Sequence, residues 1–304
     1  MSHLTNKISV IIPVYNAQDF IEKGVLSALQ QNETAEVILI EDGSTDNSLS
    51  VCKRLAQKHE RVKLYTHPDN QNLGVSVSRN LGIKMAKYPF IAFLDADDFF
   101  LENRFKITQA VFKKYPNALG VYESNNTFIT QEGEKQVVKN NHRFDHTMKK
   151  GIKPEDLFEE LVTGDGHFLP STITLNRQLL LNTNILFHPE LVSGEDSDFF
   201  RNLSLVGDLY PGSIDRPVVT RVIHQNNHIH QTAFVRKKLL LLDKIWIKKS
   251  LKNNWSKEVN THFLLHLLEC RYGHISNRPI RLFRKAIYLA FFILKHPKIL
   301  KKIV

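Results

Sequence analysis

Cysteine is scarce in this chain: Cys52 and Cys270 are the only two in 304 residues, and they lie far apart. Neither belongs to a CxxC pair, which argues against a zinc site or a disulfide framework. Long hydrophobic runs are missing too. No stretch reaches the roughly 18 apolar residues of a spanning helix. The first apolar run, Ile8 to Val14, is broken by Ser9 and Pro13 and does not resemble a secretory signal. A cytoplasmic protein is expected. Repeats and low-complexity segments are absent, and 42% hydrophobic with 24% charged residues is an ordinary globular composition.

Acids are absent from residues 278–304 (RPIRLFRKAIYLAFFILKHPKILKKIV). Residues 231–304 hold 17 of the 41 Lys/Arg but only three of the 31 acids, Asp243, Glu258 and Glu269. Of the net +10, this segment therefore carries +14, and residues 1–230 carry −4. Such asymmetry points to an anionic partner for the tail. Ile287 to Leu294 is apolar on every side but too short to span a bilayer, and basic residues flank it. That pattern suits a helix lying on an anionic membrane surface, with the protein peripheral on the inner face of the cell membrane. It also suits a helix packed on the rest of the protein. The tail aromatics sit inside the apolar run and do not alternate with cations, so nucleic acid is not an expected partner.

The first hundred residues alternate two periodicities. Ile8 to Val14 predicts a strand, and Ala17 to Gln31 places Phe20, Ile21, Val25, Leu26 and Leu29 at helical spacing. Glu36 to Ile40 predicts a second strand. Asp42-Gly43-Ser44-Thr45-Asp46 supplies a turn and the start of a helix to about Lys58. Val62 to Tyr65 predicts a strand, about Val75 to Lys87 a helix, and Phe90 to Leu94 a fourth strand. This rhythm predicts a mostly parallel sheet with helices on both faces. Later segments are less regular. Helices are predicted over Arg104 to Tyr115, Pro154 to Val162, a short piece near Arg177, and Gly194 to Leu205. Strands are predicted over Ala118 to Tyr122, Pro170 to Leu175 and Val218 to Ile223. Residues 123–150 read as polar and irregular, and helix resumes from Thr232 almost to the end.

The fourth strand runs into three carboxylates, Asp95, Asp97 and Asp98, where α/β proteins bind ligands. On an extended backbone Asp95 and Asp97 point to the same side. Their repulsion then needs a cation or a hydrogen-bonding partner to offset it. A hard divalent ion held by one or two carboxylates plus substrate phosphates does this. Asp97 or Asp98 also suits the N-cap of a following helix.

Four segments in order resemble the family 2 glycosyltransferases, which share the GT-A fold: VIIPVYNA (10–17), VILIEDGSTDNS (37–48), NLGVSVSRNLGIKMA (72–86) and IAFLDADD (91–98). A fifth, GEDSDF (194–199), is similar to that family's acceptor-side acidic motif. The resemblance implies an α/β protein with a GT-A-like, mostly parallel sheet flanked by helices over residues 1–230. The nucleotide-sugar part would span about 1–115 and the acceptor part about 116–230, with a basic helical C-terminal extension over 231–304. It further implies inverting transfer of a sugar from a nucleotide-sugar, a UDP-sugar first, to an acceptor hydroxyl, with Mg2+ or Mn2+. The setting implied is bacterial surface-glycan synthesis, as exopolysaccharide, capsule or lipopolysaccharide, on a saccharide or lipid-linked saccharide acceptor.

Under that resemblance each motif has a chemical role. A departing nucleoside diphosphate gains negative charge, which a divalent ion stabilises. Asp97 is implied as the direct metal ligand, with Asp95 on the ribose or on the metal through water. Asp42 would accept the N3–H of a uracil, with the backbone of Pro13, Val14 and Tyr15 completing the edge, although an Asp before Gly43 also forms turns. The family more often has Asp-Asp where this chain has Glu41-Asp42. Arg79 would partner the diphosphate or the aspartates, since its fork suits oxyanions. The competing reading, a surface helix salt bridge of little worth, is the less favoured one. Gly74 would relieve a backbone constraint.

On the acceptor side Asp196 is the implied general base, worth roughly 10²–10⁴ in rate. Glu195 would orient the acceptor, with Asp198 as an alternative base, and an acidic helix start also suits the macrodipole. A donor-site histidine is implied among His224, His228 and His230, with His224 and His230 ahead. Residues 123–175 are expected to shape the acceptor site. Two rivals are a catalytically inactive nucleotide-sugar-binding module and a nucleotidyltransferase. Intact Asp95, Asp97 and Asp196 argue against the first. The second usually needs a Gly-rich basic loop after the first strand, and PVYNAQDF is not one.

Overall fold

The computed structural model describes residues 7–131, 134–137, 148–223 and 232–297. The chain opens with β1 (Ile8–Val14), α1 (Ile21–Leu29), β2 (Thr34–Glu41), α2 (Ser48–Lys58), β3 (Val62–Thr66), α3 (Val75–Met85) and β4 (Phe90–Phe93). These are the alternating elements that the periodicity predicts. Every residue of β1 is buried, as expected of a parallel strand covered on both faces. Val10, Ile12 and Val14 join one core with α1 and α2 residues such as Val25 and Leu55. Ile11 points the other way, into a second core with Ile83 of α3. The period-two alternation of one apolar strand thus serves two layers.

The middle of the chain adds β5 (Phe99–Phe100), α4 (Lys106–Lys114), β6 (Gly120–Tyr122), β7 (Asn125–Gln131) and β8 (Glu134–Val137). It continues through α5 (Leu157–Thr163), β9 (Ile173–Asn176), α6 (Arg177–Thr183), α7 (Glu195–Ser204), β10 (Leu209–Pro211) and β11 (Val219–Ile223). The main sheet has seven strands in the order β10-β6-β9-β4-β1-β2-β3. β1 pairs in parallel with both β2 and β4, and β2 with β3, while β9 runs antiparallel to both its neighbours. The fold is therefore mixed α/β with a largely parallel sheet flanked by helices.

Three local expectations change. Part of residues 123–150 is not irregular, because β7 pairs with β11 in a second, four-stranded sheet, β5-β11-β7-β8. Its polar sequence, NNTFITQ, hides a strand whose ladder is supplied from far along the chain. Pro170–Thr172 forms a turn of 3₁₀ helix, and only Ile173–Asn176 is strand. Proline at the first position lacks the N–H a ladder needs. The C-terminal helical stretch divides into α8 (Thr232–Lys252), α9 (Lys257–Tyr272) and α10 (Arg278–Lys295). Ser256 and Asn277 cap the last two, accepting from Val259 N and Ile280 N.

The extension is not an appendage throughout. Phe158 and Val162 of α5 and Leu191 share one apolar cluster with Leu242, Trp246 and Phe263 of α8 and α9. That cluster crosses the boundary expected at residue 230. α10 is more exposed: none of its residues is fully buried, although Tyr288, Leu289 and Phe292 pack against the same cluster. Among the described residues, no helix is long and apolar enough to cross a membrane.

Candidate active site

Strand order reverses at β1. β2 and β3 lie to one side of it and β4 to the other, so a crevice opens at the carboxyl ends of β1 and β4. Pro13 and Val14 are buried at the end of β1, and Tyr15 is exposed just beyond them. The three aspartates leave β4 on the same side. They do not stay extended: Asp98 N donates to the Asp95 carbonyl at 3.0 Å, closing a turn. The equal facing of Asp95 and Asp97 expected of a strand therefore does not hold.

Asp98 caps no helix, since β5 follows it. Only 3% exposed, its carboxylate accepts from Val222 N of β11 at 3.1 Å and from Ser171 Oγ at 3.0 Å. Ser171 Oγ in turn accepts from Asp95 N at 3.1 Å. Burial, then the charges of Asp97 and Asp95, hold the Asp98 carboxyl well above the usual range. Asp95 and Asp97 are half-buried and remain at the crevice. The donors offered there are all carboxylate oxygens, the ligand type that suits Mg2+ or Mn2+, so this turn fits the divalent ion that the motif implies.

Beneath the turn lies a fully buried ion pair, Arg104 with Glu123. Glu123 also accepts from Thr108 Oγ1 at 2.8 Å and from Ser213 N at 3.1 Å. Arg104 Nη2 donates to the Ser171 carbonyl at 3.3 Å, extending this support to the residue that holds Asp98. Nothing local in the sequence marks Arg104, Glu123 or Ser171 for this role.

Arg79 on α3 joins the two acidic motifs. It is 4% exposed, far from the surface bridge considered above. Its Nη2 donates to Asp95 Oδ1 at 2.8 Å and its Nη1 to Glu195 Oε1 at 3.0 Å. Burial opposes its charge, but Asp95 and Glu195 outweigh that and raise its pKa. Gly74, the residue before α3, has φ +92°, a region that glycine adopts without strain.

Asp42 is buried at the end of β2. Its two oxygens accept from Leu73 N at 2.7 Å and Gly74 N at 3.0 Å, fastening the loop that leads into α3. Burial raises its pKa against these two bonds and against nearby His67. Glu41 turns back to accept from Ser44 N at 2.7 Å and Gly43 N at 3.2 Å, so it shapes the turn.

The opposing acids begin α7. Gly194 precedes it at φ +76°, and a Cβ there would fall 2.7 Å from Leu242 of α8. Close approach and backbone geometry both call for glycine. Glu195 faces Arg79; burial and Asp196 raise its pKa, and Arg79 opposes them. Asp196 is half-buried and accepts from Ser197 N at 2.6 Å. His167, which the sequence analysis did not single out, lies within electrostatic reach of Asp196. Asp198 goes elsewhere: buried, it accepts from Trp246 Nε1 at 3.0 Å. It anchors α7 to α8, and the alternative base is thus spoken for. His224, His228 and His230 lie outside the described residues.

Comparison with known proteins bears on the family and the fold. An uncharacterized glycosyltransferase of Haemophilus influenzae is 37% identical over 141 residues, covering 46% of this chain and 55% of its own. The minor teichoic acid biosynthesis protein GgaB of Bacillus subtilis is 35% identical over 116 residues, 37% of this chain and 13% of that one. The chain therefore spans about half or less of these relatives. The crystal structure of S. aureus TarS 1-349 in complex with UDP-GlcNAc superposes with a TM-score of 0.61 at 22% identity, covering 89% of this chain and 73% of that one. This is a likeness of fold. The profile described as glycosyl transferase family 2 matches residues 9–169, more than half of the sequence, and the chain belongs to that family.

Proposed function

We propose that this protein is an inverting glycosyltransferase that moves a sugar from a nucleotide-sugar, a UDP-sugar first, to an acceptor hydroxyl in bacterial surface-glycan synthesis. One observation carries the reading: Arg79 contacts Asp95 of the donor-side turn and Glu195 of the acceptor-side turn at once. That brings the two acidic motifs to one cleft, as a single displacement between donor and acceptor requires. The UDP-GlcNAc bound by TarS and the teichoic acid role in the name of GgaB support the donor class and the setting.

Asp97, with Asp95, would hold Mg2+ or Mn2+, which supplies electrostatic stabilisation to the leaving diphosphate. Asp42 would receive the base edge near Pro13, Val14 and Tyr15, exchanging loop amides for the nucleotide. Arg79 keeps Asp95 and Glu195 oriented and their charges balanced. Asp196 takes the proton of the acceptor hydroxyl as its oxygen attacks the anomeric carbon. Residues 1–230 supply this chemistry, and a histidine of the 224–230 segment completes the donor side.

The acceptor, as a lipid-linked saccharide, would meet the protein at an anionic membrane. α10 supports this. Ile280, Phe283, Ile287, Phe291 and Leu294 follow one another at three- and four-residue spacing, and all are exposed. Arg278, Arg281 and Arg284 flank them. An exposed apolar stripe beside cations is the pattern of an interfacial helix. Cosedimentation with vesicles containing anionic lipid should capture the protein. Phe283→Asp/Phe291→Asp should release it, and equal capture of that variant would refute the docking.

A panel of nucleotide sugars with Mn2+ tests the reaction. Transfer or donor hydrolysis is expected with one UDP-sugar, lost in Asp97→Asn together with metal-dependent donor binding. Release of pyrophosphate, or an unchanged Asp97→Asn, would overturn the reading.

A further inference from the structure

A second group of metal-donor side chains lies away from the cleft, between α8 and α9. His266 Nδ1 is 2.7 Å from Asp243 Oδ1, and Cys270 Sγ is 3.7 Å from the same nitrogen. One donor atom from each residue lies within 4.8 Å of the others. Asp243 and Cys270 are buried, and Asp243 Oδ2 has no hydrogen-bond partner. A buried carboxylate oxygen left unpaired costs free energy unless something else satisfies it. Beside His266 an open pocket of about 360 Å³ is lined by His262, Leu265, His266, Leu268, Glu269 and Lys285.

We propose that Asp243, His266 and Cys270 bind a divalent ion of the zinc class, with the fourth position open to water from this pocket. The donor set selects the metal: one thiolate, one imidazole and one carboxylate suit Zn2+ and exclude Mg2+ or Ca2+. The spacing is close to what is needed. With bonds of about 2.0 Å to nitrogen and oxygen and about 2.3 Å to sulfur, tetrahedral donors stand roughly 3.3–3.5 Å apart. The sulfur–nitrogen separation of 3.7 Å already fits, and a side-chain rotation of Asp243 would bring the unpaired Oδ2 to the ion in place of the Oδ1 contact with His266. An ionised Cys270 and Asp243 together balance the ion, while nearby Arg201, attracted to Asp243, adds one positive charge.

The three donors are not the same kind of contact as a surface ion pair. Two of them lie one helical turn apart on α9, and the third lies on the helix packed against it, so an ion would fasten α8 to α9. Asp243 lies three residues before Trp246, the partner of Asp198, so the same clamp steadies the start of α7. The proposal reverses the expectation against a zinc site, because a site of one cysteine, one histidine and one aspartate carries no CxxC signature.

The test is spectroscopic and does not need sugar transfer, so its failure leaves the proposed reaction untouched. The full chain carrying Asp97→Asn, stripped with chelator, is titrated with Co2+. A sulfur-to-cobalt charge-transfer band and the visible bands of a four-coordinate ion are expected, saturating near one equivalent and displaced by Zn2+. Cys270→Ser should abolish the charge-transfer band. Asp243→Asn, which preserves shape, should weaken Co2+ binding at least about tenfold, with unchanged circular dichroism. Absence of the band in the folded parent, its survival in Cys270→Ser, or unweakened binding in Asp243→Asn would overturn the site.

Discussion

Two acidic turns face each other across the cleft, and each commits its last acid to architecture. In the turn after β4, Asp98 is buried on Val222 N and Ser171 Oγ, while Asp95 and Asp97 stay at the crevice. In the turn that opens α7, Asp198 is buried on Trp246, while Glu195 faces Arg79 and Asp196 stays half-exposed. The difference lies in what anchors them. The first turn is held by the second sheet and by the segment around Ser171. The second is held by Trp246 of α8. The turn after β4 is thus anchored within the α/β body, whereas the turn that opens α7 depends on the C-terminal helices.

The largest effect expected separates the two turns by role. Asp196→Asn should lower kcat by roughly 10²–10⁴ and leave donor affinity unchanged, measured by steady-state kinetics beside isothermal titration with the donor. A parental rate in this variant would move the base elsewhere and remove the functional asymmetry between the turns.

The support beneath the first turn comes next. Arg104→Met leaves Glu123 without its cation in a site with no exposure, and removing one partner of a buried pair costs about 3–5 kcal/mol. Denaturant unfolding should show that loss, and Arg104→Met/Glu123→Leu should recover most of it. If the single variant matches the parent, the buried pair does not support the turn.

A smaller effect tests the anchor of the first turn itself. Asp98→Asn retains only one accepting oxygen where the carboxylate uses two, so either Ser171 or Val222 loses its partner. Leaving a buried donor unsatisfied costs about 1–3 kcal/mol. Activity should fall by about 10–100-fold, as for residues that orient a metal ligand, with the loss partly offset at high Mn2+. A fall equal to that of Asp97→Asn would mean that Asp98 touches the ion directly.

The donor turn was legible because its signals are local. An apolar run that ends in acids, a Gly before a helix and a strand–helix rhythm can all be read within a few residues, and β1 to β4 follow them closely. What was not legible depends on distant partners. β7 becomes a strand because β11 pairs with it, and nothing in NNTFITQ shows this. Asp98 reads as a cap until Val222 reaches it from 124 positions away. Asp198 reads as a candidate base until Trp246 arrives from the extension. Arg79 reads as a partner for the diphosphate or the aspartates, but its contact with Glu195, 116 positions on, has no local signal. Chemistry could be read from residue type, while the choice among neighbouring acids needed tertiary contacts.

The smallest effect belongs to the anchor of the second turn, and it gives the sharpest contrast with Asp98. Asp198 uses one oxygen on Trp246, and an asparagine can present the same oxygen. Burial raises its pKa, outweighing the opposing pull of Lys249, His188 and Trp246. A raised carboxyl pKa means that the folded state holds the proton more tightly than the unfolded one. The associated stability is present below the unfolded pKa of about 3.9 and is lost as pH rises through the folded value. Above the folded value the parent therefore carries the cost of a buried charge that Asp198→Asn lacks. The variant should unfold within about 1 kcal/mol of the parent or above it at neutral pH, with a flatter decline in stability on the alkaline side of pH 4. It should also transfer sugar at close to the parental rate, in contrast to the loss expected of Asp196→Asn. A stable Asp198→Asn that has lost transfer would return Asp198 to the chemistry and dissolve the distinction between the acid that anchors the helix and the acid that primes the acceptor.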